Sequence, residues 1–104
     1  MRDMIDDADR ILHFVDGMTL AMFVADERTV FAVERLLQRI TEAAVQIAPA
    51  EAAQLGPDVP VAKMRGFGNR LRHEYREIAR DVIFDLARIE VPRIRAAAER
   101  ALER

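Results

Sequence analysis

The chain has 104 residues, and its 16 basic and 18 acidic side chains leave a formal charge of −2 with both histidines neutral. A composition that is 51% hydrophobic and 33% charged suits a folding chain that buries roughly two-thirds of its unfolded surface, so a single domain over residues 1–104 is expected. The absence of cysteine excludes disulfides, thiolate zinc sites, iron–sulfur clusters and thiol nucleophiles, and two histidines are too few for a multi-histidine metal site, so no metal and no cofactor are expected.

The first predicted helix runs from residue 2 to Asp16. Met4, Ile5, Ala8, Ile11, Leu12 and Val15 fall on one face, and Asp6, Asp7, Asp9 and Arg10 are expected opposite it. Gly17 is placed to end this helix, because glycine accepts the left-handed conformation that closes helices. Thr19 to Val24 reads as one short helical turn covering an end of the fold. Asp26 is the expected N-cap of a second long helix, with Glu27 at the positive end of its dipole. Val30, Val33, Leu36, Leu37, Ile40, Ala44 and Ile47 give that helix its buried stripe, which stops at Pro49.

Residues 49–60 hold three of the four prolines and form a connection too short to link domains. From Val61, the spacing of Met64, Phe67 and Leu71 predicts a third long helix to about Tyr75, with a rival reading in which Gly66 ends one helix and Asn69 caps another. The fourth covers Asp81 to Arg104, with Val82, Ile83, Leu86, Ile89, Ile94, Ala97, Ala98 and Leu102 expected inward. Pro92 predicts a kink, or a restart with proline in the first turn. No segment alternates long enough for a strand. The expected fold is therefore all-α, a four-helix up-and-down bundle with a short extra helix and a kinked last helix. No stretch approaches the ~20 apolar residues of a membrane span, and an aspartate-rich start does not suit a secretory signal, so a cytoplasmic protein with no membrane partner is expected.

The small total charge hides a division. Residues 1–60 hold five basic and eleven acidic side chains, whereas residues 61–104 hold eleven basic and seven acidic. Such asymmetry points to an anionic partner on one side of the molecule, although charge runs on helices are more often solvated faces. Five of the eleven basic residues, Lys63, Arg65, Arg70, Arg72 and Arg76, fall in one segment with His73 and Tyr75. On a helix, Arg65, Asn69 and His73 succeed one another along one stripe, flanked by Arg72 and Arg76. Guanidinium groups there can hold a phosphodiester while the imidazole moves a proton to or from an RNA 2′-hydroxyl or leaving oxygen. The plainer alternative makes His73 a surface hydrogen-bonding residue and pairs the arginines with neighbouring acids. His13, with no such neighbours, is expected on the surface.

The run Gly66-Phe67-Gly68-Asn69-Arg70-Leu71-Arg72-His73-Glu74-Tyr75 resembles the Gly-Met-Arg-Asn-x-Leu-x-His-x-Tyr signature of HepT-like proteins, minimal members of the HEPN superfamily. The acidic opening from Asp3 to Ile11, the Ala32 to Ala44 helix and the closing segment with Pro92 are similar to the family's corresponding parts. The resemblance thus spans nearly the whole chain. It implies a four-helix HEPN fold, a homodimer, and a toxin acting as a metal-independent ribonuclease at a site shared by the two subunits. It also implies a small MntA-type nucleotidyltransferase antitoxin, which silences the toxin by transferring AMP to the motif tyrosine. Carried over, His73 is the catalytic histidine, Asn69 its motif neighbour and Tyr75 the modification site. Independently of the resemblance, the basic side chains Arg70, Arg76 and Lys63 are expected to contact RNA phosphates. Glu42, at the family's Gly-Glu-Ala-Ala position, either supports the motif helix or pairs with an arginine.

The chain departs from the signature at Gly68, where the family carries arginine. Arg65 and Arg72 lie on the same helical face and are the candidates to supply the guanidinium. Two other readings stay open: an RNA- or nucleotide-binding partner subunit of a nucleotidyltransferase that does not cut, and a purely structural helical dimer.

Overall fold

Two ends of the chain are drawn together around its first helix. The computed structural model describes residues 2–46 and 79–103, and among them every regular element is helical. The elements are α1 (Arg2–Val15), α2 (Leu20–Ala25), α3 (Glu27–Gln46), α4 (Arg80–Asp85), a π-helical turn (Leu86–Glu90) and α5 (Val91–Leu102). The fold is all-α, as expected. The proline-rich connection, Ile47 and the predicted helix from Val61 to Tyr75 lie outside the described residues.

α1 packs against α3 on one side and α5 on the other. Met4, Ile5, Ala8, Ile11 and Val15 of α1 are buried against Val30, Val33, Leu36, Leu37, Ile40 and Ala44 of α3 and against Ile94, Ala97, Ala98 and Ala101 of α5. Each large side chain withdrawn in this way contributes about 1.5–3 kcal/mol, so among the described residues the three-helix seam holds most of the apolar burial. Being covered on two sides, α1 buries more of its circumference than its apolar stripe suggests. Asp7, expected on the solvent side, is buried. It lies one turn from both Met4 and Ile11, at the edge of the stripe, and α3 closes over it. Its charge is satisfied there: Arg10 Nη1 donates to Oδ1 at 2.9 Å, and Arg39 Nε from α3 stands 3.2 Å from Oδ2. On the other flank, Arg95 of α5 donates to Asp9 of α1 and to Glu99.

The short elements are set by local chemistry. Gly17 has φ +73°, in the left-handed region, and the Met18 N–H closes the end of α1 on the Val15 carbonyl at 3.0 Å. Thr19 caps α2, its hydroxyl oxygen accepting from the Met22 N–H. Asp26 serves two helices: its N–H donates to the Phe23 carbonyl, and its carboxylate accepts from the Thr29 hydroxyl at 2.8 Å and the Thr29 N–H at 3.1 Å. Those bonds, the hydroxyl's first, hold the Asp26 carboxyl below its ordinary value of 3.8. Phe23 of α2 is fully buried, its ring 5.0 Å from that of Phe84 on α4, and this pair fastens α2 to α4.

The last helical span restarts at Pro92, in the first turn of α5, as the sequence predicts. How it restarts was not predicted. The Val91 N–H donates to the Leu86 carbonyl five residues back, a wider turn than an α-helix makes. Proline has no N–H and its ring crowds the carbonyl four residues before it, here that of Arg88, and a widened turn relieves the clash. The buried stripe runs through Ile83, Phe84, Ala87, Val91 and Ile94, at the spacings of three and four residues that keep one helix face inward. Val82 and Ile89, expected inward, fall on the other side of the helix from that stripe and are exposed, and Leu102 is exposed at the C-terminal end of α5.

Two stability predictions follow from these contacts. A Cβ on Gly17 would meet nothing within 4 Å, so Gly17→Ala isolates the backbone cost and should lower the urea unfolding free energy by about 1–2 kcal/mol. For the buried carboxylate, Arg10→Met combined with Arg39→Met leaves Asp7 without a cation and should cost about 3 kcal/mol. Asp7→Ala leaves two arginines that can extend into water and should cost about 1 kcal/mol, an ordering that the same measurement checks.

Candidate active site

Of the residues assigned from the sequence, Lys63, Arg65, Asn69, Arg70, Arg72, His73, Tyr75 and Arg76 lie outside the described residues. Glu42 is described: it sits on α3, half-buried, one turn before the helix reaches Gln46. His13 is exposed at the end of α1, as expected. What the described residues define is the frame on either side of the motif segment in sequence.

α3 ends at Gln46, and the described chain resumes at Ala79, the N-cap of α4. Arg80 fixes this second point. Its Nη1 donates to the Val24 carbonyl of α2 at 2.6 Å, and its Nη2 stands 3.8 Å from Glu27 Oε1 at the first residue of α3. One guanidinium thus satisfies a carbonyl that the end of α2 leaves without an intrahelical partner and ties α4 to the corner between α2 and α3. α3 spans 20 residues, which at 1.5 Å per residue places its ends about 29 Å apart. Gln46 and that corner therefore lie at opposite ends of α3.

The electrostatics of the frame follow from burial and pairing. Glu34, on the side of α3 toward α4, is half-buried. Burial raises its carboxyl above the ordinary 4.5, and the positive charge of Arg80 opposes the shift. Asp7 has an oxygen engaged by each of two guanidinium groups, and through Arg39 it clamps α1 to α3. Arg88 donates to the Met18 carbonyl at 3.2 Å and lies 5.4 Å from the centre of the Phe84 ring, joining the π-helical turn to the loop before α2. Among the described residues no group of three or more histidines, aspartates and glutamates is placed to hold a metal ion, and no helix is long and apolar enough to cross a membrane.

Sequence reasoning missed the framing roles of Asp7, Arg39 and Arg80. For Asp7 a signal existed in its one-turn spacing from Met4 and Ile11. For Arg80, a cation just ahead of a predicted helix, nothing local marks the carbonyl 56 residues away in sequence that it caps.

The family profile described as HepT-like, "Ribonuclease HepT-like", matches residues 4–101 of this chain. Three curated proteins of Methanocaldococcus jannaschii are similar to it. "Putative RNase MJ1216" is 26% identical over 101 residues, covering 97% of this chain and 83% of the relative. "Putative RNase MJ0125" is 26% identical over 97% of this chain and 86% of the relative. "Putative RNase MJ0127" is 32% identical over 86% of this chain and 74% of the relative. No solved structure gives a significant match.

The raised Glu34 carboxyl has a measurable sign. Its protonated form is favoured by folding, so its contribution is fully present below pH 4.5 and is lost as pH rises through the higher folded value. Glu34→Gln should therefore raise the thermal midpoint relative to the parent at pH 7. That difference should shrink toward zero at pH 4, as paired melting curves at the two pH values would show.

Proposed function

We propose, from the premise that this chain belongs to the HepT-like ribonuclease family, that it is an RNA-cleaving toxin whose site forms where the motif segments of two copies meet. The observation that carries this reading is the Asn69-x-Leu71-x-His73-x-Tyr75 spacing, set in the most basic stretch of a chain that matches the family profile nearly end to end. The relatives' names point to the same reaction class.

The chemistry needs two proton transfers. An imidazole takes the proton of an RNA 2′-hydroxyl, whose oxygen attacks the adjacent phosphorus. The bond to the 5′-oxygen breaks, and that oxygen leaves with a proton from a second donor. A single motif supplies one histidine, and a homodimer supplies two, His73 from each copy. Charge building on the phosphate oxygens calls for a guanidinium. With Gly68 at the family's arginine position, Arg65 and Arg72 take that role, and Arg70, Arg76 and Lys63 hold flanking phosphates. Glu42, near the point where α3 ends, supports the motif segment. No metal or other cofactor enters this scheme.

Regulation in this reading comes from a small nucleotidyltransferase antitoxin in the same cytoplasm. The Tyr75 hydroxyl attacks the α-phosphorus of ATP, pyrophosphate leaves, and the AMP left on the tyrosine adds bulk and negative charge two residues from His73. Gly68 favours a second reading, in which the same basic segment binds RNA or a nucleotide without cutting it.

Purified protein incubated with total RNA in EDTA separates the two. Cleavage that falls about 100-fold or more in His73→Ala, and drops also in Arg72→Ala, supports the toxin. Cleavage indifferent to His73→Ala overturns the assignment. Binding that Arg72→Ala abolishes, with no cleavage by the parent protein, supports the second reading.

A further inference from the structure

The outer face of α3 carries a feature separate in sequence from the motif segment. Arg28, Phe31, Arg35 and Arg39 succeed one another at spacings of three and four residues, which places them on one stripe of the helix. All four are exposed, and the Phe31 ring, at 51% exposure, is among the most exposed large apolar side chains described. The face opposite, from Val30 to Ala44, is the core. Arg28 and Arg35 make no salt bridge among the described residues. Arg39 leans on Asp7 and yet keeps its side chain half-exposed, beside Arg10, whose side chain is 57% exposed. The acids Glu27 and Glu34 lie about 100° around the helix from Arg28 and Arg35. Glu42 follows at the far end of the stripe.

Phe31 thus stands between two cations, about 4.5 Å along the axis from Arg28 and about 6 Å from Arg35. An exposed ring flanked in this way is poorly matched to an apolar protein surface, because α3 offers no second large apolar side chain on that face. It is well matched to a single nucleic-acid strand, whose base can lie on the ring while its phosphates meet the guanidinium groups on either side. We propose that the Arg28–Phe31–Arg35 stripe of α3 is a single-stranded RNA-binding track, with Phe31 stacking an unpaired base and Arg28 and Arg35 contacting phosphates. The proposal deepens the ribonuclease reading and rests on it for the choice of strand. It adds substrate contacts on the part of the chain that, by charge count, is acidic. It also gives the enzyme a preference for unpaired RNA, since a base inside a duplex cannot reach the ring.

A fluorescein-labelled 12-nucleotide single strand with 2′-O-methyl sugars cannot undergo 2′-hydroxyl attack and so reads binding apart from cleavage. Phe31→Ala should weaken its binding about 5- to 150-fold, and Phe31→Leu should not restore it. Arg28→Gln with Arg35→Gln should flatten the dependence of log Kd on log salt by about 1.4, at about 0.7 per phosphate contact. The chain contains no tryptophan, so Phe31→Trp places a unique fluorophore in the stack, and the strand should quench it while affinity is kept. Unchanged affinity in Phe31→Ala, full recovery in Phe31→Leu, or absence of quenching in Phe31→Trp overturns the track. So does a change of sedimentation in Phe31→Ala without loss of RNA affinity, which would make this face a protein interface. If total RNA is cut in EDTA and the stripe variants bind the strand like the parent, the track fails and the ribonuclease stands. If the strand binds through the stripe and no RNA is cut, the ribonuclease reading fails and the track stands.

Discussion

The structure depends on α1 being covered from two sides. Its stripe from Met4 to Val15 is met by α3, which follows it in sequence, and by α5, which comes from the far end of the chain. A helix of 14 residues is marginal alone in water, so its folding and the closure of the chain on itself are one event. The alanine-rich face of α5 suits this closure, because Ala97, Ala98 and Ala101 leave room for the α1 side chains to fill the seam. That closure also sets where α3 ends at Gln46 and where the described chain resumes at Ala79.

Arginine makes the secondary ties, and each one joins elements distant in sequence. Arg39 reaches from α3 to the buried Asp7, Arg80 from α4 to the end of α2, Arg88 from the π-helical turn to Met18, and Arg95 from α5 to α1. Two of these cap backbone carbonyls, which a planar fork of donors does well. The abundance of arginine in this chain therefore has two explanations that the composition cannot separate. Part of it holds the helices together, and part of it is left facing water, where Phe31 lies among the exposed guanidinium groups of α3.

A charge of −2 conceals both. The basic excess of residues 61–104 includes the motif arginines, and it also includes Arg80, Arg88 and Arg95, which are spent on structure. The acidic excess of residues 1–60 includes Asp7, which is buried between two arginines, and Asp26, which caps a helix. The chain belongs to a ribonuclease family, and the track proposed on α3 would give part of these exposed cations a polyanion to meet.

Much of this architecture was legible in the residues because its causes are local. The apolar spacing of α1 and α3, the left-handed Gly17, the cap at Asp26 and the restart at Pro92 each depend on side chains within one or two turns. The Asn69-to-Tyr75 signature was legible in the same way, as a pattern at fixed spacing that identifies a family. What the tertiary structure decided is what depends on a neighbour remote in sequence. Asp7 is buried because α3 covers the flank of α1, and Val82 and Ile89 face water because the neighbouring helices cover the face that carries Ile83, Ala87 and Val91 instead. Arg80 becomes a cap only once α4 lies against the corner of α2 and α3. Periodicity assigns a residue to a face of its own helix, but packing decides how much of that helix is covered.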